Sequence, residues 1–385
     1  MSSLWPEGGG GELASYLFAK TLTKEGVNLK IITPKQRQYP RELDVYPISF
    51  TGFGKFSIPY IDRKASEIIA SADIIYVTSN FFSIIPYIKR KFKKAVVAHI
   101  HSYFPSCPVG HLYNFAHKSI CSPQRRNCSK CILLYERARR NFIQSTGSAI
   151  FNSALNRIFI DNILKADALI YASYSQKVLF EKHISLYSSY LPKTFVIFNP
   201  LPNIRPVLIE GDDIAFFGGL DPIKGFNILL NAWKYVRKTT KSKIIIASSQ
   251  AIPYNLEEIG LVSYPPLKGA ALKRIYKMSR VVVVPSIAPE TASYVSLEAC
   301  MYERPLIASN IGGIPEYVGG LPGVKLISPN ATALVKALEW VLSLSREKVQ
   351  DLGAKNRNYL IKRYIKYNPT KELMKIFESY SSLRV

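Results

Sequence analysis

Apolar residues in this chain gather in short β-branched or aromatic runs, separated by segments of helical period. Leu29-Lys-Ile-Ile-Thr, Ile74-Ile-Tyr-Val-Thr, Ala95-Val-Val-Ala-His, Ala168-Leu-Ile-Tyr-Ala and Phe195-Val-Ile-Phe read as strands, with helices over Glu12–Lys24 and Asn156–Leu164 among them. After Pro206 the pattern restarts with Ile214-Ala-Phe-Phe, Lys243-Ile-Ile-Ile-Ala, Val281-Val-Val-Val-Pro and Pro305-Leu-Ile-Ala-Ser. Near-continuous apolar runs of this length fit strands covered on both faces, hence parallel sheets in an α/β protein. Two such sets predict two doubly wound, Rossmann-like domains, over 1–200 and 207–365, with residues 366–385 as a last helix. The proline-rich stretch Asn199-Pro-Leu-Pro-Asn-Ile-Arg-Pro is the expected linker. Ligands in such folds bind beyond the C-terminal ends of the strands, so a cleft between the domains is the expected site.

The Gly-rich turn Pro6-Glu-Gly-Gly-Gly-Gly-Glu should follow a strand and open a helix. Met1–Trp5 are too few for a complete central strand, so the expectation is a true start upstream or, failing that, a truncated first strand in the N-terminal domain.

Composition is that of an ordinary globular chain, with 48% hydrophobic and 20% charged residues, which excludes disorder, collagen and coiled coil for the whole. No apolar run approaches the roughly 18–20 residues that span a bilayer, and Met1–Glu7 lacks the flanks of a secretory signal. The expectation is a soluble, cytoplasmic protein, peripheral on the inner face of the cell membrane. Charge is the unusual quantity. The net is +24, and the 62 residues between Asp73 and Glu136 hold nine Lys or Arg and no carboxylate. Such a field attracts phosphate groups. In Phe81-Phe-Ser-Ile-Ile-Pro-Tyr-Ile-Lys-Arg-Lys-Phe-Lys-Lys, apolar residues run into five cations, so 81–94 is the expected contact with an anionic membrane surface. A solvated helix end is the plain alternative.

Candidate chemistry concentrates after the restart. Pro285-Ser-Ile-Ala-Pro-Glu290-Thr-Ala-Ser-Tyr-Val-Ser-Leu-Glu298 follows a strand and places two carboxylates around a helix start. Carboxylates accept hydrogen bonds from vicinal hydroxyls, and free helix amides suit a diphosphate. Pro305-Leu-Ile-Ala-Ser-Asn-Ile-Gly312-Gly313-Ile-Pro315-Glu316 follows, and Phe216-Phe-Gly218-Gly219-Leu-Asp-Pro-Ile-Lys224-Gly225 lies upstream.

These three motifs, in this order and spacing, resemble the retaining glycosyltransferases of family 4 (glycosyl transferases group 1), which have the GT-B fold; the resemblance implies that the last helix, 366–385, crosses back to pack on the first domain. The resemblance implies a hexosyltransferase-type enzyme that moves a sugar from a nucleotide-diphosphate donor to a hydroxyl acceptor with retention of configuration. A lipid-linked acceptor or a growing glycan is the implied partner. By position, Glu290 would touch the donor sugar, Glu298 the ribose, and Lys224 would neutralise the diphosphate. Thr291, Ala292, Gly218 and Gly219 would line the donor. Gly219 stands where the family commonly has arginine, and Ser293 where it often has glycine. In the first domain, Gly10 belongs to the family's Gly-rich loop and His101 to its strand-end histidine, with Ser102 in place of aspartate. His99 is the weaker candidate. No cofactor is required for catalysis on this reading, since the leaving diphosphate can itself take the acceptor's proton.

Cys107, Cys121, Cys128 and Cys131 fall within an insertion over 102–135, as Cys-x13-Cys-x6-Cys-x2-Cys. Four soft ligands at this spacing are compatible with a structural zinc; disulfides and free thiols are the alternatives. Cys300 is expected to be a buried apolar residue. Two other function classes stand beside the transferase. One is a basic nucleic-acid-binding protein with a cysteine-rich zinc module. The other is a sugar-nucleotide epimerase on the same fold. The first would leave Glu290 and Glu298 idle, so no nucleic-acid partner is expected.

Overall fold

The computed structural model describes residues 9–51, 58–78, 81–125, 127–137, 141–248, 254–265 and 267–381. The chain divides into two compact units, Met1–Pro200 with Asn368–Val385, and Leu201–Tyr367.

In the first unit, α1 (Gly10–Lys24) leads into β1 (Lys30–Pro34), which pairs in parallel with β2 (Asp44–Ile48). Then come α2 (Arg63–Ser71), β3 (Ile74–Thr78), α3 (Ile85–Phe92) and β4 (Ala95–Ile100). An α-hairpin follows, α4 (Cys128–Arg137) and α5 (Phe142–Ile163). β5 (Ala168–Tyr171), α6 (Tyr174–Ile184) and β6 (Lys193–Val196) complete a parallel sheet of order β6-β5-β4-β3. The inner strands are buried throughout, which is why their sequences do not alternate.

The expected first strand falls on residues 1–8, outside the described residues. Among the described residues β1 and β3 are not paired with each other. A cavity of about 660 Å³ lies between them, lined by Leu29, Ile31, Ile75, Tyr76, Ala19 and Phe377.

The second unit is a six-stranded parallel sheet. Its strands are β7 (Asp213–Phe216), β8 (Ile244–Ala247), β9 (Leu261–Tyr264), β10 (Ser279–Val284), β11 (Leu306–Ser309) and β12 (Val324–Ile327). Their order is β9-β8-β7-β10-β11-β12, so the winding reverses between β7 and β10. Helices α7 (Phe226–Val236), α8 (Gly269–Met278), α9 (Tyr294–Met301), α10 (Ile314–Val318), α11 (Ala331–Ser343) and α12 (Arg346–Lys366) cover the faces. Phe216, Leu229, Trp233, Val283, Leu334 and Leu338 form one continuous core. Buried Arg304 donates to the carbonyls of Tyr276, Val207 and Leu208, which fastens the chain leaving the linker to this unit. Burial brings its guanidinium down to about 10, and those carbonyls supply the polar partners that a buried cation needs.

The last helix, α13 (Pro369–Ser381), belongs to the first unit. Leu373 and Ile376 pack with Phe18 and Leu22 of α1, and Thr370 donates to Thr21 across 2.7 Å.

Among the described residues no helix is long and apolar enough to cross a membrane. Segment 81–94 folds as a turn and α3, and its Phe82, Ile84, Ile85 and Ile88 are core residues. Lys89 is engaged with Asp167 at 2.7 Å. The apolar half that would have entered a bilayer is therefore spent inside the unit, and 81–94 offers no apolar anchor for a membrane.

Candidate functional site

In an open α/β sheet the loops after two strands part where the winding reverses, and side chains from both meet there. Here that place lies beyond β7 and β10. The β7 loop carries Gly218, Gly219 and a short 3-10 turn, Pro222–Lys224, capped by the Asp221 carboxylate, which accepts from the Ile223 amide at 3.1 Å. The β10 loop carries Ser286 to Ala292. The two loops are fixed to each other, because the Ile287 amide donates to the Ile223 carbonyl at 2.9 Å.

Lys224 and Glu290, 66 positions apart in sequence, are brought together. Lys224 Nζ donates to Glu290 Oε1 at 2.8 Å, and Ser286 Oγ donates to the same oxygen at 2.8 Å. Burial works against the ammonium, but the Glu290 carboxylate outweighs it and holds Lys224 above its ordinary value. The lysine side chain as a whole keeps 42% of its exposure. It remains cationic throughout the neutral range.

Glycines make this approach feasible. A Cβ on Gly218 would lie 2.7 Å from Lys224 Cβ and still closer to the Phe216 ring. Gly225, at φ +84°, would drive a Cβ into the Pro285 carbonyl. Gly312, at φ +58°, packs its Cα directly on the Glu290 backbone, and the Gly313 amide donates to the Glu290 carbonyl at 2.7 Å. The Gly-Gly turn after β11 thus sets the position of Glu290. Gly219 is also left-handed, at φ +59°, beside the end of β8. Thr291 and Ala292 are half-buried in the loop that leads to α9, which Ser293 caps by accepting from the Ser296 amide.

Glu298 sits within α9 and takes a different environment. Its Oε2 accepts from Tyr276 Oη at 3.3 Å, and Tyr276 is stacked against Tyr302 and Phe217. Burial among these rings raises the carboxyl to about 7, more than the Tyr276 hydrogen bond lowers it. Near neutrality it can therefore donate as an acid or accept as a carboxylate. Tyr276, which completes the Glu298 contact, carries no motif in the sequence, and Ser286 lies within the Pro285–Glu298 run without standing out there. Cys300 is fully buried.

In the first unit, His101 follows β4 directly. A Cβ on Gly11 would stand 3.2 Å from His101 Cβ, so the start of α1 lies against the histidine. Gly10, the glycine expected beside the donor, is the first residue of the helix. The Glu12 carboxylate turns back to accept from the Gly9 amide at 2.9 Å. Burial lowers His101 to about 4, so its imidazole is neutral at pH 7. His99 is a core residue between Phe18 and Tyr76, its ring 4.2 Å from that of His101.

Cys107, Cys121, Cys128 and Cys131 line one narrow cavity of about 20 Å³, with Tyr113, Asn114 and Asn127. That is room for about one water or small ion. Cys131 Sγ accepts from the Phe115 amide and donates to the Tyr113 carbonyl, each at 3.5 Å. Burial, with Cys107 and Cys128 nearby, pushes its thiol up to about 11. As placed, no three His, Cys, Asp or Glu among the described residues form a metal site.

Residues 211–343 match the family model of the glycosyl transferases group 1. Over 151 residues the chain is 28% identical to a D-inositol 3-phosphate glycosyltransferase of Mycobacterium leprae, a stretch that spans 36% of this chain and 34% of that protein. The matched part is thus about a third of that relative's length. A 41.2 kDa protein of the cps region of Klebsiella pneumoniae is 26% identical over 309 residues, covering 75% of this chain and 80% of its own. Among solved structures, Anabaena HepE in complex with UDP-glucose matches with a TM-score of 0.68 and 14% identity, over 98% of each chain. Likeness of this extent shows the fold: two Rossmann-like α/β domains of the GT-B type.

Proposed function

We propose that the chain is a glycosyltransferase that moves a sugar from a nucleoside diphosphate to a hydroxyl acceptor with retention of configuration. The observation that carries this reading is the Lys224–Glu290 pair at the reversal of the sheet, inside the stretch that matches the group 1 family model. A diphosphate entering there would compete with Glu290 for the ammonium and leave the carboxylate free to accept from sugar hydroxyls. Lys224 and the first amides of α9 would then stabilise charge as it grows on the leaving phosphate. Glu298 would hold the ribose, exchanging its Tyr276 partner for a hydroxyl. Gly218, Gly219, Thr291 and Ala292 would line the donor from the two loops. His101 would act as a neutral hydrogen-bonding group. No catalytic metal enters this scheme, and the acceptor is a lipid-linked or growing glycan hydroxyl.

The sugar-nucleotide complexes of the Anabaena protein support a nucleotide-sugar ligand. The test is a thermal-shift screen of the intact protein against UDP-, GDP- and ADP-sugars, followed by product analysis with the stabilising donor. Transfer to an added acceptor, or slow donor hydrolysis, is the expected result. Conversion of the donor to an epimer without an acceptor would assign an isomerase instead, and no stabilisation by any nucleotide sugar would remove the reading.

A structural zinc among Cys107, Cys121, Cys128 and Cys131 is proposed on a different ground. Four thiols from two loops and the first turns of α4 share one ion-sized cavity. Binding would require the sulfurs to rotate inward and lose their protons, which a divalent cation favours.

A further inference from the structure

Helix α5 is apolar on two opposite faces. One face packs inward, with Ser145, Ala149, Asn156, Phe159, Ile160 and Ile163 buried, and Asn156 Nδ2 donates to the Pro105 carbonyl at 2.8 Å. The other face carries Ile143, Ile150, Phe151 and Ile158, which are 82%, 64%, 50% and 54% exposed. Steps of seven, eight and fifteen residues return to one side of an α-helix, so these four form a single stripe. At 1.5 Å per residue it runs for roughly 22 Å. Phe142 at its start is 62% exposed, beneath the Arg137 guanidinium. Isolated exposed apolar residues need no explanation, but a continuous aliphatic stripe along a long helix does.

The charge around it restricts what can cover it. Residues 118–163, which contain the hairpin, hold eight Lys or Arg and two carboxylates, Glu136 and Asp161, the latter paired with Arg157. Lys130 and Arg137 of α4 are exposed. A second copy would set two such cationic hairpins face to face. A nucleic acid would satisfy the cations yet leave the aliphatic stripe in water. An anionic bilayer satisfies both, because acyl chains take the stripe and headgroups take the cations.

We propose that the outer face of α5, with the basic α4–α5 hairpin, is a docking surface for an anionic lipid membrane. The stripe lies flat in the interface rather than crossing it. Apolar insertion supplies the contact that 81–94 lacks, and the cations of the hairpin give it a preference for negatively charged lipid. The site is independent of the transfer reaction and needs no donor.

The test is co-sedimentation of the full chain with phosphatidylcholine vesicles, with and without one-third phosphatidylglycerol. Binding is expected to the anionic vesicles and to weaken with salt. The triple variant Ile143→Ser/Ile150→Ser/Phe151→Ser should reduce it by about tenfold or more at unchanged melting temperature, whereas Ile365→Ser, equally exposed in the second unit, should not. Ile150→Trp provides a second readout, a blue-shifted emission quenched by brominated lipid only with anionic vesicles. Equal vesicle binding by the triple variant, or no binding by the parent chain, overturns the proposal. So does a concentration-dependent dimer that the triple variant abolishes.

Discussion

Lys224 and Glu290 are each unremarkable in isolation, a loop lysine and a loop glutamate. Their 2.8 Å contact exists because glycine occupies positions 218, 225 and 312, where a Cβ would strike Lys224, Pro285 or Glu290. On the proposed reading, Lys224→Ala and Glu290→Ala each lower turnover by about tenfold or more, since each removes a charge used in the transition state. Steady-state kinetics with the donor found by thermal shift checks this; near-normal rates in both variants would contradict the assignment. Glu298 allows a prediction that needs no substrate. Its folded carboxyl titrates near 7, above the ordinary value of 4.5. The folded state therefore holds the proton more tightly, and this contribution to stability is full below about 4.5 and lost as pH rises through about 7. Glu298→Gln should flatten the decline in melting temperature between pH 5 and 8 relative to the parent. An identical slope in both proteins would show that the carboxyl is not held in a desolvated site.

Elements decide what a side chain can reach. Segment 81–94 reads in sequence as an amphipathic surface anchor, but as α3 it turns Ile85 and Ile88 into the core. Conversely, α5 has no clear amphipathic pattern in sequence, because both of its faces are apolar; packing alone distinguishes the buried one from the exposed one. The cysteine insertion behaves similarly. Spacing permits a zinc knuckle, and the loop after β4, the turn near Ile120 and the start of α4 deliver all four thiols to one cavity. Elemental analysis of freshly purified protein should find about one zinc per chain, with the thiols protected from alkylation until a chelator is added. Absence of zinc together with four reactive thiols would leave the cavity as a plain buried cluster.

At the scale of the whole molecule, the first unit is closed by residues from the far end of the chain. Leu373 and Ile376 of α13 fill the same core as Phe18 and Leu22, more than 340 positions away. Truncating either to Ala should cost about 2–5 kcal/mol, seen as a lowered melting transition of the first unit, while Leu338→Ala should act on the second. If Leu373→Ala leaves the first transition unmoved, α13 does not belong to that core. The sequence by itself determined much of this molecule. Apolar runs set the strands, the restart after Pro206 set two sheets, and the three motifs of the second unit singled out Lys224, Glu290 and Glu298 as candidates, because those signals are local. Only the tertiary structure decided that Lys224 meets Glu290, that Tyr276 and Ser286 complete their surroundings, and that Gly11 lies on His101. It alone gave 81–94 to the interior and left α5 facing out. Each of these depends on which distant segment lies across the sheet, and a strand or helix carries no local signal for its neighbour.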